Sequence, residues 1–301
     1  LFPYTTFFRS GAGARQILLQ AEGLTLTHPV RENLLGRPVE TLTAVDGVDL
    51  CLREGEILGL VGESGSGKSS VARMLLGLTR PTAGSVSWRG QDLACLAGEG
   101  MREFRRGVQV VFQDPYSSLN PRLTVFDVIS EAWRLNPDVV PRGAWRKRAR
   151  ELLLQVNLKA SDLDKYPGEF SGGQLQRIAI ARALALGPKV VVCDEAVSAL
   201  DMSIQAQVVD LLTRLRDQTG VAYLFIAHDL TLVEHFADRV LVMQKGRIVE
   251  EGTPAEVFGA PRNAYTMALI AASPVPDPDL QAVRRRQRLG QVAEAERGTR
   301  P

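Results

Sequence analysis

Residues 62–69 read Gly62-Glu63-Ser64-Gly65-Ser66-Gly67-Lys68-Ser69, a complete G-x-x-x-x-G-K-[ST] phosphate loop. Before it, Glu56-Ile57-Leu58-Gly59-Leu60-Val61 is an apolar run of strand length. After it, Ser70-Val71-Ala72-Arg73-Met74-Leu75-Leu76 has helical spacing, with Gly77 as its stop. Strand, loop and helix in that order are the context the pattern requires, and a chance glycine-rich turn would lack them. Gly62, Gly65 and Gly67 open backbone conformations closed to other residues. The N–H groups of the loop, from Glu63 and Ser64 through Ser66 to Ser70, can then converge on phosphate oxygens at a helix start. Lys68 reaches the β- and γ-phosphates of a nucleoside triphosphate, and the Ser69 hydroxyl is placed to ligate the Mg²⁺ that bridges them.

Working outward, three more apolar runs end in chemistry. Val190-Val191-Val192-Cys193 delivers Asp194 and Glu195 to a strand end, as a buried parallel strand does. Asp194 is the expected metal partner, leaving Glu195 free to polarise an attacking water as general base. Ala222-Tyr223-Leu224-Phe225-Ile226-Ala227 leads to His228, which at the same edge can hydrogen-bond the γ-phosphate and orient carboxylate and water. Val108-Gln109-Val110-Val111-Phe112 leads to Gln113, whose carbonyl can serve the metal or the water. Taken singly, a carboxylate, a histidine or a glutamine after a strand is more often structural. Between Gln113 and the Val190 strand lie amphipathic helical stretches, such as Trp145 to Val156 with Leu152, Leu153 and Val156 on one side, which predict an inserted helical subdomain.

Composition narrows the rest. The chain has 301 residues, long enough for a large α/β domain with appendages, and 36 Lys and Arg against 34 Asp and Glu, a balance that gives no reason to expect nucleic acid. No stretch approaches the roughly 18 apolar residues of a membrane span, and no secretory leader is legible. Cys51, Cys95 and Cys193 are scattered without metal-ligand spacing, as in a reduced chain, and Cys193 reads as a core residue. Residues 1–10 fit no periodic pattern and read as non-native; residues 1–16 are set aside as a leader. The Arg-rich end, with Arg284, Arg285, Arg286 and Arg288, reads as a solvated tail over 279–301.

Phe170-Ser171-Gly172-Gly173-Gln174, followed by Leu175-Gln176-Arg177-Ile178-Ala179-Ile180-Ala181-Arg182-Ala183-Leu184, puts a serine and two glycines at a helix start, a second anion site in its own right. This stretch resembles the signature motif of ATP-binding cassette (ABC) proteins. The phosphate loop, Gln113, the signature, Asp194-Glu195, Ser198-Ala199-Leu200-Asp201 (similar to the family's D-loop) and His228 follow in family order. Two further stretches, Phe112 to Pro121 and Tyr265 to Pro278, look like the oligopeptide, dipeptide and nickel importer ATPases. Val86 to Gly90 and Ala196 are similar to the nickel-import members, so peptide and nickel both stay open.

The resemblance implies an α/β phosphate-loop NTPase core sheet with a small antiparallel β subdomain and an inserted α-helical signature subdomain. The ATPase domain would run over 17–260, with the helices at about 114–185 and a transporter-type extension over 261–278. It implies ATP and Mg²⁺ and hydrolysis coupled to solute import. Partners would be a second cassette paired head to tail, identical or not, two membrane-spanning permeases and an extracytoplasmic solute-binding protein. The chain would then sit at the cytoplasmic face of the membrane. Each ATP would lie between one chain's phosphate loop and the other's Ser171, with Gly172, Gly173, Gln174 and Asp201 contributing. Some ATPases of this subfamily carry a cysteine cluster for iron–sulfur; no cysteine follows Cys193, so no cluster is expected. Relatives stack adenine on Tyr or Phe where this chain has His28, which offers a smaller ring. A soluble, non-transport cassette is the rival from another class.

Overall fold

The computed structural model describes residues 15–32, 38–198 and 200–272. The leader up to residue 14, Ala199, the end of the expected extension from Ser273 and the basic tail lie outside the described residues. In chain order the elements are β1 (Ile17–Glu32), β2 (Pro38–Arg53), β3 (Ile57–Val61), α1 (Lys68–Leu75), β4 (Ala83–Trp88), β5 (Gln91–Asp92), α2 (Gly98–Gly107) and β6 (Val108–Val111). Then come α3 (Pro115–Ser118), α4 (Val125–Leu135), α5 (Trp145–Gln155), α6 (Gly172–Leu184), β7 (Val190–Asp194), α7 (Met202–Thr219) and β8 (Ala222–Ala227). The described chain closes with α8 (Leu230–Phe236), β9 (Arg239–Gln244), β10 (Arg247–Gly252), α9 (Pro254–Gly259) and α10 (Ala264–Ala272).

The central sheet has six strands in the order β10-β9-β3-β8-β7-β6, all parallel except the β9–β10 hairpin. Its strands alternate between two cores, as a two-residue side-chain period demands. Ile57 and Val61 of β3, Val191 and Cys193 of β7, and Tyr223 and Phe225 of β8 face the core shared with the helices after β6. Leu58 and Leu60, Val190 and Val192, and Leu224 and Ile226 face the other core, built with α1 and the second sheet. Both faces are covered, which is why these strands read as continuous apolar runs rather than alternating ones. The second sheet is antiparallel, β2-β1-β4-β5, the small β subdomain expected.

Between β6 and β7 the chain is helical, α3 to α6. Trp133 of α4 is fully buried there and donates its Nε1–H to the Ala185 carbonyl at 2.8 Å. An interlobe fork joins this layer to the sheet side: Arg106 of α2 donates from Nη1 and Nη2 to both Asp138 carboxylate oxygens, each at 2.7 Å, and from Nε to Asn136 Oδ1 at 2.6 Å. Such bidentate pairing fixes orientation as well as distance.

Candidate functional site

Parallel register brings the strand ends together. Val61 pairs with Ala227, Asp194 with Ile226 and Val111 with Cys193, so the phosphate loop, His228, Asp194-Glu195 and Gln113 emerge from one edge of the sheet. Strand β6 stops at Val111, two residues short of Gln113, and Phe112 is already exposed there.

Within the loop, glycines are required by contact as well as by torsion. A Cβ at Gly62 would lie 2.2 Å from the Met243 carbonyl oxygen, and one at Gly67 would lie 2.4 Å from the Ala44 carbonyl oxygen. Gly65 differs: its φ is +79°, but a Cβ there meets nothing within 4 Å. The loop's outer wall is the β9–β10 turn, whose Gly246 N–H donates to the Ser66 carbonyl at 2.9 Å, while the Gly246 carbonyl accepts from the Asp46 N–H at 2.9 Å. On a third side the Glu63 N–H donates to the Tyr265 hydroxyl of α10 at 3.1 Å.

Lys68 is buried and folds back over the loop, its Nζ donating to the Gly62 and Glu63 carbonyls at 2.7 Å each and to Ser66 Oγ at 3.3 Å. Burial pulls its ammonium below the usual lysine range, against the opposing pull of Glu195, Asp194 and Glu63. The Ser69 hydroxyl donates to Asp194 Oδ1 at 3.1 Å. Burial pushes the Asp194 carboxyl up, and the neighbouring Glu195 adds to it, while Ser69, Arg73 and Lys68 hold it down. A hydroxyl and a carboxylate facing one another are hard oxygen donors of the kind Mg²⁺ takes, so the residues present fit that ion.

Glu195 has φ +49°, a left-handed conformation uncommon for a residue with a side chain. The turn is braced on both sides: its N–H donates to the Ile226 carbonyl at 3.0 Å, and its own carbonyl accepts the Ser198 N–H at 3.1 Å and the Ser198 hydroxyl at 2.9 Å. Glu195 and His228 line one small pocket with Ser198 and Gln205.

Ser171, Gly172, Gly173 and Gln174 stand apart from this edge, at the start of α6. Ser171 is the N-cap residue and its N–H donates to Gln174 Oε1 at 3.0 Å. A Cβ on Gly173 would meet Ile204 Cγ2 at 2.6 Å, so the glycine lets α6 sit against the start of α7. Asp201 caps that start, accepting the Ile204 N–H at 3.0 Å and the Ser203 hydroxyl at 2.7 Å. Among the described residues no hydrogen bond or ion pair joins Ser171–Gln174 to the phosphate loop. His28 lies exposed on β1, opposite Leu42 of β2. The sequence reading did not single out Arg73, which faces Asp194 from α1, or the Met243–Gly246 wall. The Lys245-Gly246 turn between two strand-like runs is the one local signal for that wall.

Fold and loop together define a phosphate-loop nucleotide hydrolase. A family model described as ABC transporter matches residues 45–198. The oligopeptide transport ATP-binding protein OppF of Salmonella typhimurium is 49% identical over 277 residues, covering 91% of this chain and 83% of that protein. OppF of Lactococcus lactis is 44% identical over 272 residues, covering 90% and 85%. A dimeric ATP-binding cassette solved in a post-hydrolysis state with ADP and Pi superposes with a TM-score of 0.69 at 28% identity, covering 79% of this chain and 99% of that one. The chain belongs to the ABC transporter family, as an ATP-binding and ATP-hydrolysing cassette.

Proposed function

We propose that this cassette energises a peptide importer and that the sheet edge carrying Lys68, Asp194, Glu195 and His228 is its hydrolytic site. The observation that carries the reading is the convergence of these groups through parallel register, with Ser69 and Asp194 already hydrogen-bonded. The loop N–H groups from Ser64 through Ser66 to Ser70 and Lys68 bind the phosphates; the Glu63 N–H, expected from the sequence to join them, is instead taken by the Tyr265 hydroxyl. Ser69, Asp194 and the Gln113 carbonyl would hold Mg²⁺, which would supply neutralisation of phosphate negative charge. Glu195, aimed by its left-handed turn, accepts the proton of the attacking water, and His228 hydrogen-bonds the γ-phosphate and holds that carboxylate. His28 takes the adenine.

Ser171–Gln174 and Asp201 serve the nucleotide of a second cassette paired head to tail, which accounts for their separation from this chain's own loop. The ATPase domain spans 17–260, with its helical subdomain at about 114–185 and the extension after it. A groove of about 780 Å³ between α2, β6, α4 and α6, lined by Met101, Val128 and Leu135 with Arg102, Arg105 and Arg182, suits a cytoplasmic segment of one of the two permeases, the second cassette taking the other. No helix among the described residues is long and apolar enough to cross a membrane. Attachment to the cytoplasmic face of the membrane runs through those partners. An extracytoplasmic binding protein supplies the solute. Peptide is preferred to nickel because the relatives are named for oligopeptides. The test is reconstitution with permeases and binding protein in vesicles: peptide-stimulated ATP hydrolysis is expected, and a Glu195→Gln chain should bind ATP yet turn over about 10²–10⁴ times more slowly. Normal turnover by that variant refutes the general-base assignment, and stimulation by nickel alone refutes the peptide reading.

A further inference from the structure

One peptide unit of the phosphate loop is held from both ends. The carbonyl of the Gly62–Glu63 peptide accepts Lys68 Nζ at 2.7 Å, and its N–H donates to the Tyr265 hydroxyl at 3.1 Å. In a trans peptide those two groups point in opposite directions, so fixing one fixes the other. The restraint matters because the preceding residue is Gly62, at φ +153°, whose lack of a Cβ leaves this plane free to rotate.

Tyr265 is itself held in place. The Glu250 carboxylate of β10 accepts the Arg262 N–H at 2.7 Å and the Asn263 N–H at 3.2 Å, pinning the entry to α10. Asn263 Oδ1 accepts the Tyr265 N–H at 2.8 Å, opening the helix. Thr266 is buried, and Leu269 and Ile270 pack on the helix-side core. A continuous hydrogen-bonded path therefore runs from β10 through α10 to the loop, across 202 residues of sequence between Glu63 and Tyr265.

We propose that Tyr265 is a positioning residue of the nucleotide site: by holding the Glu63 amide it aims the Gly62 carbonyl at Lys68 and makes ATP affinity depend on the seating of α10. The proposal rests on the reading of 62–69 as the ATP site. It gives the C-terminal extension a task at the loop, in which unseating α10, by a partner or by mutation, loosens the lysine and weakens nucleotide binding.

The test uses the full chain with Mg·ATP. Tyr265→Phe removes the hydroxyl and keeps the ring. Its expected effects are an ATP dissociation constant raised about 2- to 10-fold, the worth of one hydrogen bond, and a KM raised by a similar factor with kcat changing far less. Amide exchange at Glu63 should be faster, and the melting temperature of the nucleotide-free chain should fall by no more than about 6 °C. Glu250→Ala unseats α10 by a different route and should weaken ATP at least as much, with the double variant no worse than the stronger single one. Wild-type affinity, or unchanged Glu63 exchange, in Tyr265→Phe overturns the proposal. If that variant does not fold, wild-type affinity in Glu250→Ala overturns it. Lys68→Ala separates the two levels: binding lost there but intact in Tyr265→Phe refutes Tyr265 alone, whereas binding intact in Lys68→Ala refutes the site itself.

Discussion

Two glycines of the phosphate loop, both at positive φ, should respond differently to the same added methyl. At Gly65, φ is +79° and the methyl meets nothing within 4 Å, so Gly65→Ala carries only the torsional cost of a left-handed residue, about 1–2 kcal/mol. At Gly67, φ is +108° and the methyl would lie 2.4 Å from the Ala44 carbonyl and 2.8 Å from Met243 Cε. The carbonyl belongs to the backbone of β2 and cannot rotate away, so overpacking adds to the torsion for a total of about 4 kcal/mol. For a domain of this size those figures correspond to falls in melting temperature of about 2–8 °C and about 8–16 °C. Binding should not follow stability. Gly65 lies in the middle of the loop proposed to wrap phosphate, so Gly65→Ala should lose more than about tenfold in ATP affinity, or about 1.4 kcal/mol, despite its milder unfolding. Differential scanning calorimetry without nucleotide, paired with isothermal titration of Mg·ATP, measures both. Equal destabilisation by the two variants would exclude the Ala44 carbonyl as the source of the difference, and wild-type ATP affinity in Gly65→Ala would exclude Gly65 from the phosphate cradle.

Thiol chemistry offers a check on burial. Burial pushes the Cys193 thiol up to about 12, so almost none is thiolate at pH 8 and it gains nucleophilicity only as pH rises toward that value; Cys95 is exposed. Alkylation of the native chain at pH 8 should mark Cys95 and spare Cys193, with all three cysteines reacting after unfolding, as peptide mass mapping would show. Trp133→Ala removes a fully buried indole and leaves the Ala185 carbonyl without its donor, which should cost about 3–5 kcal/mol and lower the melting temperature by roughly 6–20 °C.

Local pattern carried much of the fold. The phosphate loop, the apolar strands ending at Asp194 and Ala227, and the helix with Leu152 and Leu153 were legible because each is set by a run of neighbours with a fixed period. The antiparallel sheet was expected only through family resemblance. The shifts of register between β1 and β2 and between β1 and β4 interrupt the two-residue period and leave no clean alternation to read. What stayed hidden is non-local. Nothing near Glu63 announces Tyr265, and nothing near Arg106 announces Asp138. The left-handed turn at Glu195 was likewise invisible, since its bracing comes from the Ile226 carbonyl of another strand as well as from Ser198.

The place of β3 in the sheet has a consequence for synthesis. Its neighbours on either side, β8 and β9, are encoded more than 160 residues later, and the Gly246 amide that supports the loop comes later still. A chain emerging from the ribosome therefore displays the whole phosphate-loop sequence long before any strand exists to hold it, and β3 stays an unpaired apolar segment throughout that interval. Nucleotide competence should appear only once the chain has passed Arg247 and reach full affinity when α10 has followed, and β3 is where a stalled or truncated product would be most exposed to aggregation.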